Sequence, residues 1–146
     1  MFNVLPMTVF DLDSIKDILY SDFDNFWNES ILKDELESVN SNYIVVKNDL
    51  NEIVGFGGFK SIIDEANIMN IVVKKSHRNN GIGTLILENL LNLAKSKNMI
   101  SITLEVNKNN IPAINLYKKF GFLNIGERKK YYNNTDDAII MEKKLI

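Results

Sequence analysis

The stretch that decides the fold is residues 66–97, ANIMNIVVKKSHRNNGIGTLILENLLNLAKSK. Residues 66–73 are rich in Ile, Val and Met, which predicts a buried strand. A polar loop with Gly81 and Gly83 follows, and apolar residues then recur at helical spacing. This apolar stripe consists of Ile82, Ile86, Leu87, Leu90, Leu91 and Ala94. The stretch therefore predicts a strand, a glycine-rich turn and an amphipathic helix able to cover a sheet.

The turn before this helix predicts an anion site. A helix leaves its first backbone N–H groups unpaired, and the positive end of its dipole faces the turn. Because Gly81 and Gly83 carry no side chain, an anion can approach that backbone closely. We interpret the turn as a phosphate or pyrophosphate cradle, and a plain strand-to-helix turn is the alternative. A P-loop would need Lys-Ser/Thr where Thr84-Leu85 stands, and the dinucleotide fingerprint would need a third glycine at Ile86.

Composition excludes several classes of protein. The 146 residues, 45% hydrophobic and 25% charged, fit a single globular domain spanning 1–146. With no cysteine and one histidine, disulfides, thiolate catalysis, an acyl-cysteine intermediate and Cys- or His-rich metal centres are excluded, so we expect no metal. A net charge of −2 argues against a nucleic-acid partner. Without a membrane-spanning run or a signal-peptide pattern, we expect a cytoplasmic protein with no membrane partner.

The remaining segments predict an α/β (α+β) fold with the order β-α-α-β-β-β-α-β-α-β-β. The strand–helix–strand crossover around the helix must be parallel, whereas the hairpins are antiparallel. We therefore expect a mixed, mostly antiparallel sheet with helices on both faces. Gly55, Gly57 and Gly58 indicate a close approach or a bulge. The predicted segments are strands at 2–5, 43–46, 53–59, 66–73, 100–106, 122–130 and 138–144, and helices from Thr8 or Asp11 to about Tyr20, at 29–39, from 82 onward and between Pro112 and Gly121, with Phe23, Phe26 and Trp27 tucked inward from a loop.

Two motifs carry a family resemblance. Arg78-x-x-Gly81-x-Gly83 resembles the acyl-CoA pyrophosphate loop of the GNAT N-acetyltransferases. Downstream, Asn110-x-x-Ala113-x-x-Leu116-Tyr117-x-x-x-Gly121-Phe122 resembles the family motif N-x-x-A-x-x-L-Y-x-x-x-G-F at every fixed position. With Trp27, Asn70-Ile71, Tyr131-Tyr132 and 137–141, the chain resembles the RimI-type alanine N-acetyltransferases of bacterial ribosomal proteins. The resemblance implies the GNAT fold with a splayed parallel strand pair, acetyl-CoA as co-substrate, and a protein or peptide N-terminus as acceptor.

The resemblance also implies two catalytic residues. Glu105 would be the general base that takes a proton from the amine, directly or through water; the alternative is a solvated strand glutamate. Tyr117 would donate a proton to the departing CoA thiolate; the alternative is an aromatic residue that packs on the core. Both descriptions of Tyr117 can hold together.

Further residues would contact the co-substrate. Asn110 could bond the pantetheine arm or cap the helix at Pro112. Backbone N–H groups of the central strand would stabilise the oxyanion. The implied contacts are Ile71, Val72 and Val73 near the thioester, Arg78, Asn79, Asn80, Gly81, Ile82, Gly83 and Thr84 in the cradle, and Asn110, Ala113 and Tyr117.

The candidate acceptor-binding residues are Trp27, Asn70, Tyr131 and Tyr132. A structural role for Trp27 and cross-strand packing for the two tyrosines are the alternatives. RimI-type proteins commonly carry Pro-Trp-Ser where this chain has 26–28, and their counterpart of YYNNTD is longer and contains a proline. These departures leave the acceptor open. We interpret His77 as a surface loop residue.

Protonation favours one class of acceptor. Freeing a neutral lysine side chain at pH 7 costs about 4.6 kcal/mol, whereas an α-amino group costs about 1–1.4 kcal/mol. A single carboxylate suits the second task better. This agrees with the resemblance, which implies direct acetyl transfer to a protein N-terminus, and a lysine acceptor stays open. An acetyltransferase for a small amine, drug or metabolite is one alternative, and a non-catalytic acyl-CoA-binding module is another, which the presence of both Glu105 and Tyr117 disfavours.

Overall fold

The structure, a computed structural model, describes residues 1–23, 28–132 and 136–146, with the backbone alone at 130–132. Its strands form one seven-stranded sheet in the order β1-β2-β3-β4-β5-β7-β6. All neighbours are antiparallel except β4 and β5, which are parallel. The predicted mixed sheet is confirmed. The strands are β1 Asn3–Pro6, β2 Ser41–Lys47, β3 Ile53–Ile62, β4 Glu65–Val73, β5 Ser101–Asn107, β6 Leu123–Tyr132 and β7 Asp136–Lys144.

The helices differ from the prediction at one break and at two ends: the segment predicted to end near Tyr20 extends to Phe23, and the helix predicted at 29–39 ends at Glu37. They are α1 Val9–Ile15, α2 Leu19–Phe23, α3 Glu29–Glu37, α4 Ile82–Ser96 and α5 Ile111–Lys119. Thr8 and Asp11, the two candidate caps, act together: Thr8 Oγ1 accepts from Asp11 N, and Asp11 Oδ2 accepts from Thr8 N at 2.8 Å. The single helix predicted to end near Tyr20 is interrupted by a 3-10 turn at Lys16–Ile18, because Ile15 leaves the helical region at φ −121° and ψ 3°.

Helices cover both faces of the sheet, as predicted. The side chains of β2 alternate between the two faces of the sheet. Ile44 and Val46 pack with α4, whereas Tyr43 and Val45 pack with α1–α3. Phe23 is buried on the α1–α3 face, as predicted. The inward placement predicted for 26 and 27 lies outside the described residues.

Glycines of β3 bring α4 close to the sheet. A Cβ added at Gly55 would lie 2.9 Å from Ile82 Cγ2, and one at Gly57 would lie 2.8 Å from Ile86 Cγ2. Any side chain at these positions would therefore push α4 away. The close approach predicted from these glycines is confirmed, and it fixes the start of α4 beside the end of β4.

A bulge in β4 opens the centre of the sheet. Gly58 pairs with Asn70 and Phe59 pairs with Ile68, so Met69 is an extra residue in β4. A bulge of this kind bends its strand and increases the local twist. The parallel ladder with β5 has its last pair at Asn67 and Thr103, just before the bulge. Beyond that pair β4 and β5 diverge, which confirms the splayed pair.

Candidate active site

The divergence of β4 and β5 creates a cleft of about 340 Å³. Residues 68–71 of β4 and 104–107 of β5 form its sides, and α5 contributes further residues. The cleft thus brings together residues that were predicted from separate motifs. These are Asn70, Ile71, Glu105, Asn110, Ala113 and Tyr117. A larger cleft of about 610 Å³ lies between the β1–β2 edge and the second half of α4, and none of the predicted site residues lines it.

The β4 backbone presents alternate residues to this cleft. Lys74 N donates to Val54 O of β3 at 2.8 Å. Because successive residues of a strand point their N–H and C=O groups to opposite edges, Val72 also faces β3, whereas Ile71 and Val73 face the cleft. Arg78 Nε donates to Val73 O at 3.4 Å, which agrees with this direction. Of the three predicted backbone contacts, Ile71 and Val73 direct their N–H groups away from β3, and Ile71 lines the cleft; their contacts with a ligand stay predictions.

The turn before α4 fits an anionic group. Gly81 has φ +77° and precedes a helix whose first turn has no side-chain cap and no acidic residue. A Cβ built at Gly81 meets nothing within 4 Å, so the backbone there is open to a ligand. Asn80 Nδ2 donates to His77 O at 3.1 Å and thereby holds the loop together. Open amides at a helix N-terminus beside Arg78 suit the pyrophosphate of CoA. His77 itself is half-buried in the 3-10 turn Lys75–His77, with Nδ1 2.9 Å from Ser76 Oγ.

Glu105 faces the cleft from β5. The neighbouring Leu104 and Val106 are buried on the α4 side, so alternation directs Glu105 to the other face. Its side chain is 27% exposed, and Oε1 lies 2.9 Å from Nη2 of Arg128. Arg128 is on β6, and β7 lies between β6 and β5, so its side chain spans β7. The sequence analysis missed Arg128, because its run GERKK carries no local signal of a contact this distant.

Tyr117 and Asn110 both have structural contacts. The Tyr117 ring packs against Phe122, with ring centroids 5.8 Å apart, while the residue also lines the cleft. Asn110 Oδ1 accepts from Ala113 N at 3.3 Å, which is the helix cap given above as its alternative role. Any contact of Asn110 with the pantetheine arm of CoA would therefore be made by its Nδ2 group. The roles of both residues toward a ligand stay predictions.

Tyr43 is a second residue that the sequence analysis missed. It is 6% exposed, and its hydroxyl accepts from Asn70 Nδ2 at 3.5 Å. Burial raises the pKa of the Tyr43 hydroxyl, and nearby Glu35 adds to that rise while the bond from Asn70 opposes it. The ring lies over Gly58, where an added Cβ would come within 2.4 Å of its carbon atoms. Tyr43 thus supports Asn70 in the wall of the cleft.

The other predicted acceptor residues are only partly located. Tyr131 and Tyr132 are the last two residues of β6, and the structure describes only their backbone. Trp27 lies outside the described residues altogether. Among the described residues no cluster of His, Asp and Glu could hold a metal. In the same part of the chain no helix is long and apolar enough to cross a bilayer.

Comparison with known proteins agrees with this geometry. The acetyltransferase (GNAT) family matches residues 12–122. A Bacillus subtilis protein provisionally named ribosomal protein bS18-alanine N-acetyltransferase is 35% identical over 140 residues, covering 94% of this chain and 92% of the relative. The Escherichia coli K12 ribosomal protein bS18-alanine N-acetyltransferase is 30% identical over 118 residues, covering 79% of this chain and 78% of the relative.

Solved structures show the same fold. The crystal structure of the ribosomal-protein-S18-alanine N-acetyltransferase from Escherichia coli superposes with a TM-score of 0.90 and 25% identity, covering 99% of this chain and 94% of the other. Ard1 from Thermoplasma volcanium gives a TM-score of 0.87 at 24% identity, covering 99% and 98%. The fold, the family match and the relatives together make this protein an acetyltransferase enzyme. It belongs to the GNAT acetyltransferase family.

Proposed function

We propose that this enzyme transfers an acetyl group from acetyl-CoA directly to the N-terminal α-amine of a protein, with a ribosomal protein as the substrate class. The observation that carries the proposal is the cleft between β4 and β5, because Glu105 and Tyr117 line it together. A proton acceptor and a proton donor at one opening match the two proton transfers that acyl transfer to an amine requires.

The cradle at the start of α4 and the cleft between β4 and β5 would bind different parts of acetyl-CoA. Acetyl-CoA would supply the acetyl group as a thioester, with its pyrophosphate on the amides that begin α4 near Gly81. The backbone N–H groups of Ile71 and Val73 face the cleft and would donate hydrogen bonds to oxygen atoms there. These contacts would position the reacting carbon of the thioester.

The proton transfers fall to two side chains. Glu105 takes a proton from the acceptor ammonium, which leaves the nitrogen lone pair free to attack. The Tyr117 hydroxyl donates a proton to the departing sulfur, and its phenolate regains a proton from the second N–H bond that the nitrogen breaks as the amide forms, directly or through water. Packing of the Tyr117 ring on Phe122 restricts its orientation, which suits a donor that must meet a fixed atom.

The choice of acceptor rests on energetics and on the relatives. An α-amine costs about 3 kcal/mol less to deprotonate at pH 7 than a lysine side chain. The Bacillus subtilis and Escherichia coli relatives are named as alanine N-acetyltransferases of ribosomal protein bS18, and the only amine of an alanine is its α-amine. Both lines favour an N-terminal acceptor over a lysine.

The test is a turnover assay with acetyl-CoA and a panel of N-terminal peptides, one with the bS18 N-terminus, together with lysine peptides and small amines. We expect turnover to be highest with an N-terminal peptide. Preference for a small amine would contradict the acceptor assignment. Binding of acetyl-CoA without turnover of any amine would contradict catalysis.

Two variants test the chemistry. Glu105→Gln and Tyr117→Phe should each lower kcat about 100-fold or more, the size typical of a lost general base or acid. Glu88→Gln on α4 is the matched control for the first, and the exposed Tyr20→Phe is the control for the second. Unchanged kcat in both active-site variants would refute the assigned roles.

A further inference from the structure

We propose that Arg128 is a positioning residue for Glu105. It holds carboxylate oxygen Oε1 so that Oε2 is presented to the acceptor amine in the cleft. The inference rests on the function proposed above, since it assumes that Glu105 is the base.

The first argument concerns the β4 side of Glu105, where the two parallel strands have separated. Thr103 still has a partner on β4, where its Oγ1 bonds Asn67 Oδ1 across the last parallel pair. Two residues later β4 has diverged, so Glu105 borders the cleft where a β4 neighbour would otherwise stand. Within the sheet, restraint of the Glu105 side chain therefore has to come from the β7–β6 side.

The second argument is what reaches Glu105 from that side. Arg128 Nη2 lies 2.9 Å from Oε1, across the width of β7. The adjacent Lys129 serves other carboxylates, because its Nζ lies 2.9 Å from Glu127 Oε2 and 3.4 Å from Asp137 Oδ2. Among the described side chains, Arg128 is thus the cation that contacts Glu105, and its planar guanidinium fixes a carboxylate better than an ammonium does.

The third argument is chemical. A glutamate side chain has three rotatable bonds, and proton transfer requires a carboxylate oxygen within hydrogen-bond reach of the ammonium. With Oε1 held by Arg128, the acceptor N–H bond breaks and an O–H bond forms at Oε2. Glu105 becomes a neutral carboxylic acid and releases the proton to solvent before the next cycle. Misplacing a reacting group by about 1 Å can cost roughly 100-fold in rate.

Stability and catalysis should separate at this pair. Arg128 is 54% exposed, and ion pairs at that exposure contribute little to folding, about 0–1 kcal/mol. Removal of the guanidinium should therefore leave the protein folded while releasing the Glu105 carboxylate. The kinetic effect of the change can then be measured separately from its effect on folding.

The experiment is a double-mutant cycle on kcat with Arg128→Met and Glu105→Gln. Arg128→Met should lower kcat about 10- to 100-fold, with KM for the acceptor peptide within about twofold and the thermal midpoint nearly unchanged. In the Glu105→Gln background the same change should have no further effect, because Arg128 acts through the missing carboxylate. Lys144→Met, which removes the exposed pair with Glu142, is the control and should leave kcat unchanged.

Each other result has a definite meaning. Unchanged or increased kcat in Arg128→Met, or losses that multiply in the double variant, would overturn the positioning role. Arg128→Lys should restore part of kcat, and a value no better than that of the methionine variant would also contradict it. If Glu105→Gln itself leaves kcat intact, the base assignment fails first, which separates the two proposals.

Discussion

The Tyr43 hydroxyl on β2 meets Asn70 Nδ2 on β4 at 3.5 Å, although β3 runs between these two strands. The contact exists because the residue that Tyr43 crosses is Gly58. A side chain that is buried under α1–α3 therefore supports a residue in the wall of the active-site cleft.

This crossing predicts a large effect for Gly58→Ala. The new Cβ would lie 2.4 Å from Tyr43 ring carbons, so the ring must move, and we expect a loss of about 1–3 kcal/mol in the free energy of unfolding. Urea unfolding measures it, with Gly126→Ala as the control because its Cβ would meet Ile140 Cδ1 at an ordinary 3.8 Å. In a Tyr43→Ala background the cost of Gly58→Ala should shrink. An equal cost in both backgrounds would show that the ring is not the obstacle.

Tyr43 also predicts a pH dependence of stability. Its folded-state pKa is raised above 10.0 by burial, so the folded protein keeps the phenolic proton where the unfolded chain releases it. The neutral hydroxyl therefore contributes no pH dependence below about pH 10, and above it the free energy of unfolding falls by up to about 1.4 kcal/mol per pH unit. Tyr43→Phe should lack this decline. Urea unfolding from about pH 8 to about pH 11 compares the two proteins, and parallel curves would contradict the prediction.

The cradle predicts opposite results for its two glycines. Gly81→Ala must hold φ +77°, which costs an alanine about 1 kcal/mol, and its Cβ would project into the open space where the pyrophosphate is proposed to lie. Gly83→Ala lies within α4, meets only Val73 Cγ2 at 3.8 Å, and should gain about 0.4–1 kcal/mol.

Calorimetry with acetyl-CoA and thermal unfolding check both variants. Gly81→Ala should lose stability and affinity, whereas Gly83→Ala should keep its affinity, because its Cβ would meet only Val73 Cγ2 at an ordinary 3.8 Å. If Gly81→Ala bound acetyl-CoA as tightly as the parent protein, the cradle would have to be placed elsewhere.

The sequence predicted the elements whose signals are local. The stripe of α4 and the alternation of 102–106 each come from neighbours a few residues apart, and both elements lie where expected. The turn at Gly81 was likewise visible, because two glycines and a helix start within a few positions. The splayed strand pair and the candidate residues of the cleft were predicted from the family resemblance instead.

The missed features depend on contacts that cross strands. Arg128 and Glu105 lie on β6 and β5, and their contact crosses β7. The contact between Tyr43 and Asn70 crosses β3 at Gly58. Neither register can be read from spacing along the chain. The backbone leaves the helical region at Ile15, but Leu12, Ile15 and Leu19 keep helical spacing across this break, so periodicity does not reveal it.

The opening between β4 and β5 is made by the course of the backbone, through an extra residue at Met69 and a ladder that stops at Asn67. Side chains along its sides therefore do not have to prop it apart. We expect replacement of Asn70, which lines the cleft, to change the chemistry of its wall while the gap itself persists. In this fold the backbone sets the shape of the cleft, and the side chains along its walls set its chemistry. A change of acceptor preference would therefore not require a change in the sheet.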